Sequence, residues 1–416
     1  DHLFNSYRVQ SLWGALGLLA SPTENHTLED LDLANRYLDE LRSRSFLHDL
    51  IDYATAYSFK IHDLVHDLAV FVAKDECLLI NSRIQNIPEN VRHLSFVENN
   101  WQNPFPKNSA AVRSATFPNG FAGASGEALL NTCLSKFKCL RFLDLSYSAC
   151  ETVPHSIGNL KHLRTFSIIH NQNIKRVPDS ICNLQNLRVL KLNGCKELEA
   201  LPNGLRKLIS LQILGITTKQ SVLPHNEISS LSSLALLEIR SCPNLESIFG
   251  GGKFPALKRL NVIDCQSLKS LPLVVENFPK LENLCVSKCD NLDLERLNEP
   301  SPMLKLKHVE LAKFSQLVAL PQWLQEIADS LQCLLIFHWD NLEMLPEWLS
   351  TLTNLKILQI QNCPKCLSLP DNIHHLAALE ILKIKDCPGL CRKCQPHVGE
   401  FWPKISHIKN IDIDEL

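Results

Sequence analysis

The sequence predicts an α/β solenoid, a fold in which short units stack along one axis, and three observations lead to this class. A pattern of the form Leu-x-x-Leu-x-Leu begins eleven times, at intervals of 23 to 25 residues. The pattern usually continues with Asn or Cys at its ninth position and then with Leu-x-x-Leu-Pro. Alternating leucines predict one short strand per repeat, and a repeat that cannot bury its leucines alone must stack on its neighbours. The repeats start at Leu140, Leu163, Leu187, Leu211, Leu234, Leu257, Leu281, Leu306, Leu331, Leu355 and Leu379.

Prolines mark the end of the predicted strand segment in eight of the eleven repeats. Proline lacks a backbone N–H and has a fixed φ, so it suits a loop or a strand end and not the interior of a ladder. The chain is therefore expected to turn back after each of them, as it does in a leucine-rich-repeat horseshoe, where the concave face usually binds the partner. These prolines are Pro154, Pro178, Pro202, Pro224, Pro272, Pro321, Pro346 and Pro370.

Residues 1–85 do not follow the leucine repeat pattern. Helical periodicity predicts helices from Tyr7 to Leu19, from Leu31 to Leu41 with Thr27 or Asp30 as its cap, and from Ile61 to Ala73. With a short strand at 45–47, this predicts a small, mostly helical domain with a β wing. In the third helix, Leu64, Leu68, Phe71 and Val72 lie on one side.

The repeat domain is assigned to residues 86–416. Residues 91–96 and 112–117 resemble degenerate first repeats, which raises the number of repeats to about thirteen and places the start of the array near residue 88. Residues 98–110 and 118–128 are rich in Asn, Pro, Gly and Ser and are expected to be loops.

Composition excludes several classes of function. The formal net charge of −2 and the pI of about 6.8 give no basic footprint for nucleic acid. No stretch approaches the roughly 18 apolar residues that would span a bilayer. The chain starts without Met or a signal-peptide pattern, so we expect a cloned fragment or a truncated natural product.

The cysteines favour a reducing compartment. Six of the sixteen occupy the ninth position of a repeat, where a small side chain packs beneath the strand and can bond a neighbouring backbone group. They are expected to be free, buried thiols, and the chain is expected in the cytoplasm. The six are Cys195, Cys242, Cys265, Cys289, Cys363 and Cys387, and Asn171 holds the same position in another repeat.

Four segments carry a resemblance to a known family. Residues 60–69, Lys-Ile-His-Asp-Leu-Val-His-Asp-Leu-Ala, resemble the Met-His-Asp motif and following helix of plant intracellular nucleotide-binding leucine-rich-repeat disease resistance proteins. Residues 9–19 and 37–46 agree with the family in order, as do the repeats with their Leu-Pro endings. The tail at 402–408 resembles the end of the coiled-coil subclass.

The resemblance implies that residues 1–85 are the winged-helix end of a nucleotide-binding switch. In the family the motif's His approaches the β-phosphate of ADP and its Asp helps to hold the resting state, so His62 and Asp63 would take those roles in the intact receptor. Ile61 replaces Met with similar bulk and is expected to be tolerated. No phosphate-binding Gly-x-x-x-x-Gly-Lys-Ser/Thr loop is present in the sequence. The polypeptide alone is therefore expected to hold no cofactor, and titration with ADP should show no saturable binding.

Two sets of residues are possible metal ligands by type and spacing. His62 and His66 have the spacing of a zinc helix, but Asp63 is a methylene shorter than the usual Glu base and no third ligand is apparent nearby. Cys387, Cys391, Cys394 and His397 could hold zinc, although a closing cap with incidental thiols is favoured. No side chain stands out as a catalytic nucleophile, so we expect no enzyme.

The surface expected to bind a partner is the concave strand face. Positions five, seven and eight of each repeat should alternate away from the leucines. Leu335 and Phe337 form an apolar patch, with Trp339 and Trp348 in the same repeat, that would contact a protein, either a ligand or the receptor's own switch domain, unless a loop covers it. The candidate partner-binding residues are Tyr147, Arg240, Leu335, Phe337, His338, Lys383 and Lys385.

These observations predict a plant innate immune receptor fragment whose repeats recognise a pathogen effector or a modified host protein and hold an ADP/ATP switch at rest. The alternative is a leucine-rich-repeat scaffold or ubiquitin-ligase adaptor without nucleotide switching, in which residues 1–85 dock a partner complex. An extracellular receptor would need paired cysteines and many sequons, which are not evident.

Overall fold

The computed structural model describes residues 3–19, 27–52, 57–84, 87–98, 105, 109–117, 123–294 and 304–414. The chain divides into two compact units. The first unit holds residues 1–217 with 233–235, and the second holds 218–232 with 236–416.

A small α/β domain opens the first unit. Three antiparallel strands form a sheet in the order β1-β3-β2, and Leu38, Leu47 and Phe59 form its buried core. The Asn5 side chain caps the first helix by accepting a hydrogen bond from the Arg8 N–H at 3.3 Å. Its elements are β1 (Phe4–Asn5), α1 (Ser6–Leu16), α2 (Thr27–Ser43), β2 (Leu47–Asp52), β3 (Tyr57–Ile61) and α3 (Asp63–Ala73).

Parallel strands make up the rest of the first unit. Each strand pairs with the next one along the chain in direct register. The elements are β4 (Cys77–Ile80), β5 (His93–Phe96), β6 (Ser114–Thr116), α4 (Gly123–Lys136), β7 (Phe142–Asp144), β8 (Thr165–Ser167), β9 (Val189–Lys191) and β10 (Ile213–Ile216).

The second unit continues the same plan with parallel strands in chain order. Its elements are α5 (His225–Ser229), β11 (Leu236–Arg240), β12 (Arg259–Ile263), β13 (Asn283–Ser287), β14 (His308–Ala312), α6 (Trp323–Glu326), β15 (Cys333–Phe337), β16 (Ile357–Gln361), β17 (Ile381–Lys385), α7 (Pro388–Cys394), α8 (Trp402–Ile405) and β18 (Asn410–Ile413). Short 3₁₀ helices return several repeats to the next strand, among them His155–Asn159, Asp179–Asn183 and Glu347–Thr351.

The leucines of the repeat pattern form the core, as predicted. Leu187, Leu190 and Leu192 have no exposed surface, and the corresponding side chains of the neighbouring repeats are also buried. Burying one such side chain contributes roughly 1.5–3 kcal/mol, which explains why the pattern keeps its register over so many repeats. The α/β leucine-rich-repeat class with a preceding winged-helix domain is confirmed.

Asparagine and cysteine side chains at the ninth position are buried and bond neighbouring backbone groups, as predicted. Asn171 is fully buried, and its amide donates to the carbonyls of Leu145 at 2.7 Å and Ile168 at 3.0 Å. Where cysteine takes this position the thiol donates instead, as Cys195 does to the Ile168 carbonyl at 3.1 Å. Trp339 fills the same place in its repeat, with its indole N–H 3.1 Å from the Leu311 carbonyl.

The eighth position differs from its prediction. In ten of the eleven repeats it does not continue the strand but takes a left-handed backbone conformation just after the strand ends, with φ between 51° and 59° at the non-glycine residues. Gly194 occupies it with φ 78°, and a Cβ there would collide with the His170 ring. This turn directs the chain into the loop. The non-glycine residues here are Tyr147, His170, Ser241, Asp264, Lys288, Lys313, His338, Asn362 and Asp386.

Several boundaries also differ from the sequence prediction. Helix α1 begins and ends earlier than 7–19, α2 is longer than 31–41, and α3 starts at Asp63 because His62 caps it. The wing strand β2 follows the predicted 45–47 segment, and α4 begins inside the predicted loop 118–128. The parallel sheet starts at β4, before residue 88, because Cys77–Ile80 already pairs with β5.

Candidate functional site: the open face of the strands

We call the strand surface opposite the leucine columns the open face, formed by the third, fifth and seventh positions of each repeat. In the first unit part of this surface is covered by the protein's own helix α1, which packs on β7 and β8. Asp144, Thr165, Val189 and Ile213 are consequently buried, although they point away from the leucines.

One ion pair and one lysine tie the N-terminal half of α1 to the strands. The Arg8 guanidinium lies 2.6 Å from the Asp144 carboxylate, whose side chain is only 3% exposed. The Lys191 ammonium donates to the Ser11 hydroxyl at 3.1 Å and lies 5.5 Å from the centre of the Tyr7 ring. A partly buried pair of this kind is worth more than a surface salt bridge, because water screens it less.

Arginines hold the C-terminal end of α1. The Arg164 guanidinium donates to the Ala15 carbonyl at 3.3 Å, and Arg141 donates to the Leu16 carbonyl at 3.4 Å. Carbonyls at a helix end lack partners within the helix and carry partial negative charge, and α1 has no basic residue of its own in its last turn. Burial, together with the nearby Arg188 and Arg141, lowers the pKa of Arg164.

These arginines were missed in the sequence, although a signal was present. Arg141, Arg164 and Arg188 each follow the first leucine of three consecutive repeats. A basic residue recurring at one position across stacked repeats predicts a row of positive charge, and such a row needs an acceptor.

The predicted residue Tyr147 lies beside this covered region and remains accessible. Its ring stacks on His170 at 5.0 Å between centroids, and 52% of Tyr147 is exposed. Both residues occupy the left-handed eighth position, so their rings leave the strand surface sideways.

In the second unit the described open face carries charged pairs near both ends. Arg240 donates to the Glu238 carboxylate at 2.7 Å. Lys385 lies 2.6 Å from the Asp412 carboxylate and 3.1 Å from Asp414, and these hydrogen bonds raise the pKa of Lys385. Lys383 lies next to Asp412 in strand register.

The apolar patch predicted at Leu335 and Phe337 is less exposed than expected. Leu335 is half-buried, but Phe337 is only 8% exposed, because it lies in register between Ala312 and Gln361 of the flanking strands. Trp339 points inward and is fully buried, while Trp348 is half-buried and His338 is exposed at the turn. The patch is therefore a shallow apolar floor and does not project into solvent.

Between the charged ends lies a single carboxyl group. Glu310 is half-buried, and burial raises its pKa, an effect that the neighbouring Cys285 thiol reduces. Burial also raises the pKa of Cys285, and the nearby Glu310 adds to that rise.

His62 and Asp63 lie together and exposed at the start of α3. The Nδ1 atom of His62 accepts a hydrogen bond from the Leu64 N–H at 3.3 Å and so caps the helix, and the His48 ring lies 6.3 Å away. Both side chains are exposed to solvent, and their contact with a nucleotide stays a prediction.

All sixteen cysteines are free, and fourteen of them are buried. Burial raises the pKa of Cys195 to about 12, which keeps this thiol protonated at neutral pH. In the suggested zinc cluster, Cys387 and Cys391 donate to the Ile360 and Ile384 carbonyls at 3.9 and 3.6 Å. Among the described residues, no group of three or more His, Cys, Asp or Glu is placed to hold a metal ion.

Two family models match the chain. Residues 124–337 match the model described as a leucine-rich repeat region, and residues 1–69 match the winged-helix domain of disease resistance proteins. Within the described residues, no helix is both long and apolar enough to cross a membrane.

The similar curated proteins are plant disease resistance proteins. A disease resistance protein of Arabidopsis thaliana is 34% identical over 177 residues, covering 39% of this chain and 12% of that protein. Disease resistance protein RGA4 of Solanum bulbocastanum is 34% identical over 152 residues, covering 36% and 12%. TMV resistance protein N of Nicotiana glutinosa is 29% identical over 146 residues, covering 35% and 12%. The matched segments thus span about an eighth of these relatives.

Among solved structures, a leucine-rich-repeat protein of Leptospira interrogans shares 19% identity with a TM-score of 0.43, covering 83% of this chain and 98% of that one.

Proposed function

Because this chain belongs to the leucine-rich-repeat disease resistance proteins, we propose that it is the recognition and autoinhibition module of a cytoplasmic plant immune receptor. The observation that carries the proposal is the seating of α1 on the open face of β7–β9. Helix α1 belongs to the winged-helix domain, and its contact with the repeats of the same chain can hold the switch in its resting state. The module has no catalytic role and acts by binding.

The contact has the properties that a releasable latch needs. It is built from an ion pair at Arg8, one lysine and two arginine-to-carbonyl bonds, each of which water can replace when the helix lifts. A ligand shifts such an equilibrium only by as much as it prefers one state over the other. A pathogen effector or modified host protein would activate the receptor if it bound the repeats better when α1 is released.

The nucleotide belongs to the intact receptor. His62 and Asp63 would face bound ADP at the start of α3, and the bound nucleotide would supply the signal that separates the resting from the active state. The ubiquitin-ligase adaptor alternative has less support, since residues 1–69 match a disease resistance winged-helix domain.

Charge reversal tests the latch. Arg8→Glu places two carboxylates together, so hydrogen–deuterium exchange of residues 6–16 should become faster, and Arg8→Glu with Asp144→Arg should restore protection. Arg176→Glu is the matched control, because Arg176 pairs with Glu199 in an exposed bridge away from α1. In the full-length receptor, Arg8→Glu should raise nucleotide exchange and cause cell death without a pathogen. Two results would contradict the proposal. One is unchanged hydrogen–deuterium exchange of α1 in Arg8→Glu, and the other is faster hydrogen–deuterium exchange of α1 in a receptor that does not become active.

A further inference from the structure

The middle of the second unit's open face places one carboxyl group on an apolar floor. Strands β13, β14 and β15 pair in register, so that Cys285, Glu310 and Leu335 stand side by side. The next row along the strands is Ser287, Ala312 and Phe337, and the row before it is Asn283, His308 and Cys333. Glu310 is the only acidic side chain among these nine positions.

The floor around Glu310 is largely withdrawn from water. Cys285 and Phe337 are each 8% exposed, Cys333 is 6% exposed and Ala312 is 5% exposed. The Glu310 carboxyl therefore stands in register between Leu335 and Cys285, whose thiol is only a weak hydrogen-bond donor.

Other acidic side chains near this face have cationic partners. Glu238 pairs with Arg240 at 2.7 Å, Asp264 pairs with Lys288 at 2.9 Å, and Asp412 pairs with Lys385 at 2.6 Å. Within the described ranges, no lysine or arginine forms an ion pair with Glu310. Partial desolvation and the nearby Arg259 lower the pKa of the neighbouring His308, which disfavours the positively charged form of this ring beside the carboxylate.

A desolvated carboxylate without a cation is costly, and the cost is offset when a partner brings a complementary charge. Arginine suits this position better than lysine, since its planar guanidinium bonds a carboxylate with two parallel N–H groups and also stacks on an aromatic ring. Phe337 lies on the strand next to Glu310, one row further along. Arginine surrounded by apolar contacts that exclude water is also a common centre of binding energy at protein interfaces.

We propose that Glu310 is the anchor of a docking site for a protein partner that inserts an arginine flanked by apolar side chains onto Leu335 and Phe337. This rests on the proposed function in one respect, that the open face recognises a protein. It adds the chemistry of the ligand, a basic and apolar segment, and places the binding site on β13–β15 of the second unit.

A peptide library tests the site without knowledge of the natural partner. A phage-displayed library of random 12-residue peptides is selected on the whole chain, and the dissociation constants of synthetic copies are measured by fluorescence anisotropy. We expect enriched peptides with arginine beside apolar residues. Glu310→Gln, which keeps the shape and removes the charge, should weaken their binding at least tenfold, as should replacing the peptide arginine with citrulline.

Two further variants complete the test. Glu238→Gln is the matched control and should leave affinity within twofold, because Glu238 already has Arg240. Glu310→Lys should reject the basic peptides and, in a fresh selection, enrich acidic ones. Circular dichroism melting curves establish that each variant is folded.

Selection of peptides without basic residues, equal binding to Glu310→Gln, or no enrichment would each overturn the proposal. None of these results depends on the release of α1, so failure here is distinguishable from failure of the latch.

Discussion

Asn171 shows how much one side chain contributes when it joins consecutive repeats. Its amide donates to Leu145 and Ile168, and its Oδ1 accepts hydrogen bonds from the Ser148 hydroxyl and the Cys150 N–H, both at 3.0 Å. Removing the amide would delete these four buried hydrogen bonds at once.

We therefore expect Asn171→Ala to lower the free energy of unfolding by about 3 kcal/mol, since each hydrogen bond contributes roughly 0.5–1.5 kcal/mol. Asn186→Ala is the control, because Asn186 makes one exposed bond to the Lys161 carbonyl, and it should cost less than about 1 kcal/mol. Urea denaturation followed by circular dichroism measures both. Equal losses of unfolding free energy in the two variants would show that burial of the ninth position does not determine its contribution to stability.

Glu310 makes stability depend on pH in a stated direction. Burial raises its pKa in the folded protein, so the folded state binds the proton more tightly than the unfolded chain. The stability that this gives is fully present below the unfolded pKa and is lost as pH rises through the folded one.

Glu310→Gln should accordingly gain stability relative to the parent chain as pH rises from 4.5 to 7.5. Urea denaturation of both proteins at the two pH values checks this. A stability difference that stays constant with pH would mean that the carboxyl group titrates normally.

Much at the residue scale could be predicted from the sequence. The inward leucines and the ninth-position residues follow from a repeated local pattern, which fixes the side of the strand that each one faces. The burial of Phe337 could not be read from that pattern, because it depends on the side chains of the strands on either side.

At the scale of elements, helix α3 is unusual because it has no buried residue. Leu64 and Phe71 are each 74% exposed, and Leu68 is 60% exposed. The sequence correctly placed them on one side of a helix, but periodicity alone cannot tell what, if anything, that side packs against.

Polar substitutions in α3 should therefore be nearly neutral for stability. We expect Phe71→Lys to change the free energy of unfolding by less than about 0.5 kcal/mol, as surface changes usually do. Leu38→Ala in the buried core of the same domain, where Leu38 is 1% exposed, should cost about 2–5 kcal/mol. Thermal unfolding of both variants gives the comparison, and a large loss from Phe71→Lys would contradict the exposure of α3.

The seating of α1 on β7–β9 also lies beyond sequence patterns. The helix itself was predicted, as were the outward positions Asp144 and Lys191. Their meeting depends on how the small domain docks on the repeats, and no local period encodes that docking. The repeated arginines after the first leucine were the available clue.

For the whole molecule, the distribution of thiols gives a simple test of the fold. Only Cys77 and Cys139 are exposed among the sixteen free cysteines. Native protein should take up two equivalents of a maleimide at pH 7.5, and protein unfolded in guanidinium should take up sixteen. Mass spectrometry counts the additions. Rapid modification of the ninth-position cysteines in the native protein would show that the repeats are not closed around them.

The position of α1 also limits how fast a binding partner can reach the strands beneath it. A molecule directed at Asp144 or Lys191 has to wait for the helix to lift, so its observed association rate should level off at the opening rate as concentration increases. Its apparent dissociation constant equals the intrinsic dissociation constant divided by the fraction of molecules in which α1 has left the strands. Tyr147, in the same unit, is 52% exposed and needs no such opening, so the first unit would respond on two timescales, one set by diffusion and one by the motion of α1.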